Sequence, residues 1–361
     1  LYSISFGTIK LHVLANIVTP ISIINMLKID IHTHIVPKNL NEITNTFMDP
    51  RFLKLNLSDN KNGTLEAGGV QFRKIECNSW CDKNRLKDIK KQFIDVQVLS
   101  TIPVLFSYWS KPNECLILSR YINNHIHEIC VNNSNKFIGL GTIPMQDTTL
   151  AIEEMDRCIN DLSLSGIEIG TNINGLNLSE SRFHPIFEHA EKISCPIFVH
   201  PWEMMGMTEM KKYWLPWLVG MPAETSRAIC SLIFGGVFEK YPDLKICFAH
   251  GGGTFPFIAG RIDHGFKVRP DICAVDNSIL PSSYLENFYV DSLVHNKNAF
   301  RFLLDTIGEN RIAVGSDYPF PLGEKYPGEL INSMELSDIA KKRIYSGTAL
   351  EWLGLEEGNF I

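Results

Sequence analysis

The sequence has no long basic tract. Forty Asp and Glu outnumber 34 Lys and Arg, for a formal net charge of −6. This balance argues against a nucleic-acid partner or an anionic membrane surface. The chain also lacks a glycine-rich dinucleotide fingerprint and a phosphate-loop motif, so no organic cofactor is expected. Its nine cysteines form no framework: the number is odd, the spacing is scattered, and the closest pair, Cys77 and Cys81, has no second pair to complete a zinc site. Reduced thiols in a cytoplasmic protein fit this pattern better than a disulfide scaffold does. No solenoid repeat and no low-complexity tract is present.

A clear membrane-spanning run is missing too. "LHVLANIVTPISIINML", residues 11–27, is mostly apolar, but Pro20 interrupts it and it falls short of the roughly 20 residues a span needs. No small-residue cleavage site marks it as a signal peptide. Residues 1–25 are expected to be a leader or extension without a catalytic role, and 26–361 to form the working domain. With 361 residues, 45% hydrophobic and 20% charged, the chain has enough apolar material for a large core.

What the sequence does contain is a rhythm. Eight short apolar runs follow one another: 28–35, 95–103, 137–144, 166–171, 195–201, 244–251, 288–295 and 311–319. They are near-continuously apolar, as parallel strands covered on both faces should be. Segments with apolar residues at three-to-four spacing lie between most of them, at 84–93, 113–131, 148–163, 181–192, 222–238, 297–307 and 337–345. Eight alternations predict an α/β fold, a (β/α)8 TIM barrel. Residues 39–80 break the rhythm and read as a small insertion on the first βα loop, at the barrel mouth. Residues 202–222, rich in Met and Trp, read as a second long loop after strand five.

Barrel active sites collect at the C-terminal ends of the strands. Here those ends carry His32 and His34 on strand one, His200 on strand five, His250 on strand six and Asp317 on strand eight. In a strand, residues i and i+2 share a face, so His32 and His34 can share one cation. A second "HIH", His125 and His127, falls in a helical segment, where i and i+2 diverge by about 200°, and it reads as a surface pair. Three imidazoles and one carboxylate suit a borderline divalent cation, zinc first. Strand four, "GIEIGT", has no lysine to bridge two metals, so one metal per chain is expected. The plainer alternative is a set of unrelated core histidines with local hydrogen bonds.

"DIHTH", "FVHPW", "KYWLPWLVGMPAET", "CFAHGGGTFPF" and "GSDYPFPLGE" together resemble the amidohydrolase superfamily, in its metal-dependent decarboxylase branch. The resemblance runs from about Met26 to the C-terminus. It implies one Zn2+ per subunit, held by His32, His34, His200 and Asp317, with His250 off the metal as the catalytic proton carrier and Asp317 also serving as a relay. It implies a small-molecule substrate with two carboxylates. Arg73 would grip one of them, and Arg261, supplied by the neighbouring subunit of a homodimer, the other. Phe72, Met204, Trp217 and Phe320 match positions near the substrate. Taken singly, Arg73 reads more readily as a solvated loop residue, and Arg261 equally as a helix cap or a partner of Asp263. Two departures stand out: Asn172 occupies a position expected to hold His, and Ala67 replaces a basic residue. The expected activity is non-oxidative decarboxylation. Alternatives are a different decarboxylase or lactonase of the superfamily, acting on a small aromatic or dicarboxylic acid, and a metal-binding barrel without catalysis.

Overall fold

The computed structural model describes residues 26–360, so the expectation for residues 1–25 lies outside the described residues. The strands in chain order are β1 (Ile29–Ile35), β2 (Lys54–Leu57), β3 (Asn62–Ala67), β4 (Val70–Glu76), β5 (Val96–Thr101), β6 (Phe137–Gly139), β7 (Gly141–Thr142), β8 (Ile167–Gly170), β9 (Asn172–Ile173), β10 (Leu176–Asn177), β11 (Ile197–His200), β12 (Ile246–Phe248), β13 (Tyr289–Asp291) and β14 (Ile312–Ala313). Two parallel ladders run β1-β5-β6 and β7-β8-β11-β12-β13-β14.

Backbone hydrogen bonds join these ladders at both seams. On one side the chain passes from β6 to β7 through Leu140, whose N–H donates to Leu99 O at 2.8 Å, while Gly141 N–H donates to Gly166 O at 2.9 Å. On the other side Ile31 N–H donates to Val314 O (2.8 Å), Asp317 N–H to His32 O (2.9 Å) and His34 N–H to Tyr318 O (2.8 Å). With β6 and β7 sharing one position, eight strand positions close into the expected (β/α)8 barrel.

The strands are shorter than their apolar runs. β12 stops at Phe248 and β14 at Ala313, so His250 and Asp317 sit on the turns that follow. Both take φ of +58°, a left-handed conformation that costs a non-glycine residue free energy and is concentrated at functional sites. A helix of 14 residues was not legible in the sequence. Phe255–Val268 connects strands six and seven; Gly260 and Gly265 dilute its apolar stripe, and only Phe255, Pro256 and Phe266 are buried on it. Elsewhere the helix starts carry local signals: Asp147 accepts from Leu150 N–H to cap Thr148–Asp156, and Asn296 accepts from Asn298 and Ala299 N–H to cap Lys297–Ile307, each satisfying amides the first turn leaves free.

The barrel interior has a floor under the polar strand ends. Phe198 and Trp352 are fully buried with ring centroids 6.1 Å apart, and the Phe198 ring lies 5.0 Å from His32. Truncating such a ring to Ala costs about 3–5 kcal/mol. Between β1 and the helix Asp82–Gln92, the strands β2, β3 and β4 form a separate antiparallel sheet. Leu55, Leu65 and Ile75 anchor it in the cluster that holds Leu99 and Ile102 of the barrel. Phe72 and Arg73 on β4 are left half-buried.

Candidate metal centre

His32, His34, His200 and Asp317 converge, each offering one ligand atom within 4.8 Å of the others. All four side chains are buried. The parity of β1 supplies the first two, the last residue of β11 the third, and the turn after β14 the fourth.

The outward ring nitrogens decide which way the imidazoles are wired. His32 Nδ1–H donates to Asp291 Oδ2 at 2.6 Å, His34 Nδ1–H to Thr101 O at 2.7 Å and His200 Nδ1–H to Pro201 O at 3.0 Å. Carboxylates and carbonyls accept only, so each neutral ring has its proton on Nδ1 and a lone pair on Nε2. The His32 and His34 Nε2 atoms stand 3.1 Å apart, and His34 Nε2 is 3.2 Å from Asp317 Oδ1. Lone pairs at this range repel unless a cation lies among them. His200 Nε2 is buried with no hydrogen-bond partner, an orphan of the kind metal ligation resolves. The donor set fits a borderline divalent ion.

The electrostatics agree. Burial pushes the His200 pKa well below its ordinary value, and His34 and His32 push the same way, so the ring stays neutral and free to ligate. Burial acts to raise the Asp317 carboxyl, but the neighbouring imidazoles, His34 first, outweigh it and hold the pKa at about 2. His250 stands beside this group. Its Nε2 is 4.0 Å from Asp317 Oδ2, its Nδ1 has no partner, and burial, reinforced by His32, brings its pKa down to about 4.

A cavity opens on this centre. Phe72, Arg73, Trp217 and Phe320 line it together with His34, His200 and Asp317. The Arg73 guanidinium lies 4.4 Å above the Phe320 ring, 5.6 Å from Phe72 and 5.9 Å from Trp217. This stacking fixes a charge that burial otherwise destabilises. Met204 is placed elsewhere, which corrects its expected position. Met204 follows Glu203, whose φ is +52°, and is buried against Gly220, where an added Cβ would meet the Met204 Cβ at 3.2 Å. Met221 lines the cavity instead. Arg261 is exposed on the outer helix Phe255–Val268 and does not line this cavity.

A family model described as Amidohydrolase matches residues 29–355. The chain belongs to the amidohydrolase family. Within that family it is 49% identical over 336 residues to a 2-amino-3-carboxymuconate-6-semialdehyde decarboxylase of Dictyostelium discoideum, covering 93% of this chain and 94% of the relative. A Caenorhabditis elegans protein of the same name is 34% identical, with 84% and 88% covered. Among solved structures, a 5-carboxyvanillate decarboxylase from Novosphingobium aromaticivorans, complexed with manganese and a nitrobenzoic acid, superposes with a TM-score of 0.76 at 22% identity. That match covers 91% of this chain and 96% of the other.

In this amidohydrolase, sequence reading missed four residues around the centre. Asp291, at the end of β13, accepts from His32 Nδ1 and from the N–H groups of His250, Gly251 and Leu293 (2.7–3.1 Å for the three amides), and so orients a ligand and His250 together. A lone Asp at a strand-seven end was the available signal. Glu168 on β8 is fully buried, 3.8 Å from His34 Nδ1, with neither oxygen hydrogen-bonded and its pKa raised by burial. Trp202 lines the cavity directly after the "FVH" ligand strand, and Met221 opens the helix Met221–Phe234. Asn172, the departure from the expected His, donates to Trp202 O and to Glu224 Oε1 (3.0 and 3.1 Å), which ties the Trp-rich loop to the buried helix.

Proposed function

We propose that this protein is a carboxy-lyase that removes CO2 from 2-amino-3-carboxymuconate 6-semialdehyde to give 2-aminomuconate 6-semialdehyde. This is a step of tryptophan catabolism that draws flux away from quinolinate and NAD synthesis. The observation that carries the reading is the meeting of Arg73 with His34, His200 and Asp317 in one cavity, in a chain 49% identical to a decarboxylase of that name.

Zinc, one per subunit, is the metal we assign to His32, His34, His200 and Asp317; it would supply Lewis acidity at the open side of the donor set. The protein's own groups do the rest. Arg73 binds one substrate carboxylate through its planar fork. Phe72, Trp217 and Phe320 exclude water around it. His250, neutral at pH 7 with its pKa near 4, takes up a proton at Nε2 and returns it. Asp317, within 4.0 Å of that atom, passes the proton on. In the chemical step the bond from carbon to carboxylate breaks, CO2 departs, and the electron pair left on carbon takes a proton.

Among the described residues Arg73 is the one cation lining this cavity, while the substrate carries two carboxylates. We assign the second to Arg261 of a partner copy in a homodimer. Its exposure supports this, as does the exposed Phe257 one turn earlier on the same helix, packed 5.9 Å from exposed Phe302. A cytoplasmic location is supported by nine free cysteines. Among the described residues no helix is long and apolar enough to cross a membrane.

The test is loss of substrate absorbance with freshly generated aminocarboxymuconate semialdehyde, before and after metal removal and in His250→Ala. Metal-dependent turnover that His250→Ala lowers by about 10²–10⁴ is expected. Turnover of a salicylate-like acid or a lactone instead, unaffected by Arg73→Ala, would overturn the substrate assignment. For the dimer, Arg73→Ala and Arg261→Ala chains are dissociated and mixed. Partial recovery of activity is expected, because each hybrid holds one intact site.

A further inference from the structure

Arg85 is an anomaly in this fold. It sits on the helix Asp82–Gln92 outside the barrel and is fully buried. Burial lowers its pKa to about 10, which leaves it charged. Its hydrogen-bond partners are all neutral. Nε donates to Gln97 Oε1 (3.2 Å), Nη1 to His34 O (2.7 Å) and Asn78 O (3.2 Å), and Nη2 to Thr33 Oγ1 (2.9 Å). The carboxylates of Asp30 and Asp88 act on Arg85 without forming a salt bridge, and a buried cation so placed costs stability that a well-packed apolar residue would not. Its position must be doing something that stability alone does not explain.

The contacts say what. Two of the partners belong to Thr33 and His34, in the strand that carries two ligands. The guanidinium face lies 4.7 Å from the Tyr318 ring, and Tyr318 directly follows the ligand Asp317. Tyr318 O accepts His34 N–H at 2.8 Å, and its hydroxyl donates to Asp88 Oδ2 at 2.9 Å, one turn along the helix that carries Arg85. Arg85 therefore lies across the seam between β1 and the turn after β14. This is where the barrel closes without a continuous ladder: β14 has only two residues and the ligand-bearing turn has a single bridge, Thr33 to Tyr318. Only a planar fork with donors in several directions and a stackable face meets all these partners at once; a lysine ammonium does not.

We propose that Arg85 is the positioning residue of the metal centre: by gripping residues 33 and 34 and backing the Tyr318 ring, it sets the spacing between the β1 histidines and Asp317. The inference rests on the metal-centre reading above. It touches neither the substrate cavity nor a ligand side chain, so it acts through the backbone of the ligands.

The experiment uses the full-length protein and its Arg85→Lys and Thr33→Val variants. Zn2+ affinity is measured by chelator competition, the ligand field by the visible spectrum of the Co2+-substituted protein, and fold stability by thermal unfolding of the metal-free protein. Arg85→Lys keeps the charge but loses the fork. It is expected to weaken Zn2+ by about 10–100-fold, the range for outer residues that orient ligands, to shift the Co2+ bands, and to lower kcat with KM unchanged. Thr33→Val removes the acceptor of Nη2 together with the hydroxyl's own bond to Val98 O (2.7 Å), and a several-fold loss with a smaller band shift is expected; if Arg85→Lys does not fold, an unchanged Zn2+ affinity and Co2+ spectrum in Thr33→Val overturns the proposal. Unchanged Zn2+ affinity and Co2+ spectrum with a lowered melting temperature would make Arg85 merely structural and overturn the proposal, leaving the metal centre standing. A wild-type protein that binds neither ion overturns the metal centre and the Arg85 proposal with it.

Discussion

Two pairs of histidines spaced i, i+2 occur in this chain, and they meet opposite fates. His32 and His34 on β1 turn their Nε2 atoms to within 3.1 Å of each other. His125 and His127, on the helix Pro112–Asn132, part company. His127 Nδ1–H donates to Leu162 O at 2.7 Å, while His125 Nε2 is enclosed with no partner and burial brings that ring's pKa down to about 4. Both helical rings are half-buried, which corrects their reading as a surface pair: the helix lies against the barrel wall, and even its diverging faces meet neighbours. The period of the backbone, two in a strand and 3.6 in a helix, decides whether the same three letters make a chelate or two separate side chains.

Matched substitutions put the largest strain on this comparison. His34→Gln is expected to drop bound metal well below one per chain and activity by about a thousand-fold or more, since a Lewis acid is worth several kcal/mol. His127→Gln should leave both within about two-fold, since that ring belongs neither to the metal-ligating group nor to the cavity wall. Metal analysis beside the absorbance assay reads both, and equal losses would break the contrast.

Next in size is His250→Ala, which keeps the four ligands. A loss of about 10²–10⁴ in kcat is expected, the range for a general acid–base group, with metal content retained. Loss of metal in this variant would make His250 a ligand.

Asp291→Asn tests the wiring that makes β1 a chelate. The carboxamide accepts less strongly from His32 Nδ1–H, and about 10–100-fold weaker metal binding is expected in chelator competition. An unchanged affinity would show that strand parity alone suffices.

The smallest effect belongs to the helical pair. His125 has its folded-state pKa depressed to about 4, against an unfolded value near 6.5. Between these the unfolded chain binds the extra proton, so the stability this ring contributes is present above pH 6.5 and lost as pH falls toward 4. His125→Gln should flatten that slope by about 1–2 kcal/mol in urea melts, without altering metal binding.

Much of this molecule was readable before its structure. The barrel followed from eight apolar runs, and its ligands from polar residues at run ends, because both signals are local and periodic. The helix Phe255–Val268 was not, since its two glycines and few buried positions erase the period. The resemblance puts Met204 near the substrate, but its side chain is buried against Gly220 and Met221 lines the cavity; a match of motifs does not record which way a loop side chain turns. Asp291 and Glu168 carry no spacing signal. Each matters only through its distance from a histidine far away in sequence.

By itself the sequence determined the strand that holds two imidazoles on one face, and the family to which the longer motifs belong. Backbone period and motif are properties of neighbouring residues, and neighbours are what a sequence records. Only the tertiary structure decided that His32 is wired to Asp291, that Arg73 stacks over Phe320, and that a charged Arg85 is buried at the seam. Those contacts join residues from 51 to 259 positions apart, and they exist only once the barrel and the elements packed on it have folded together.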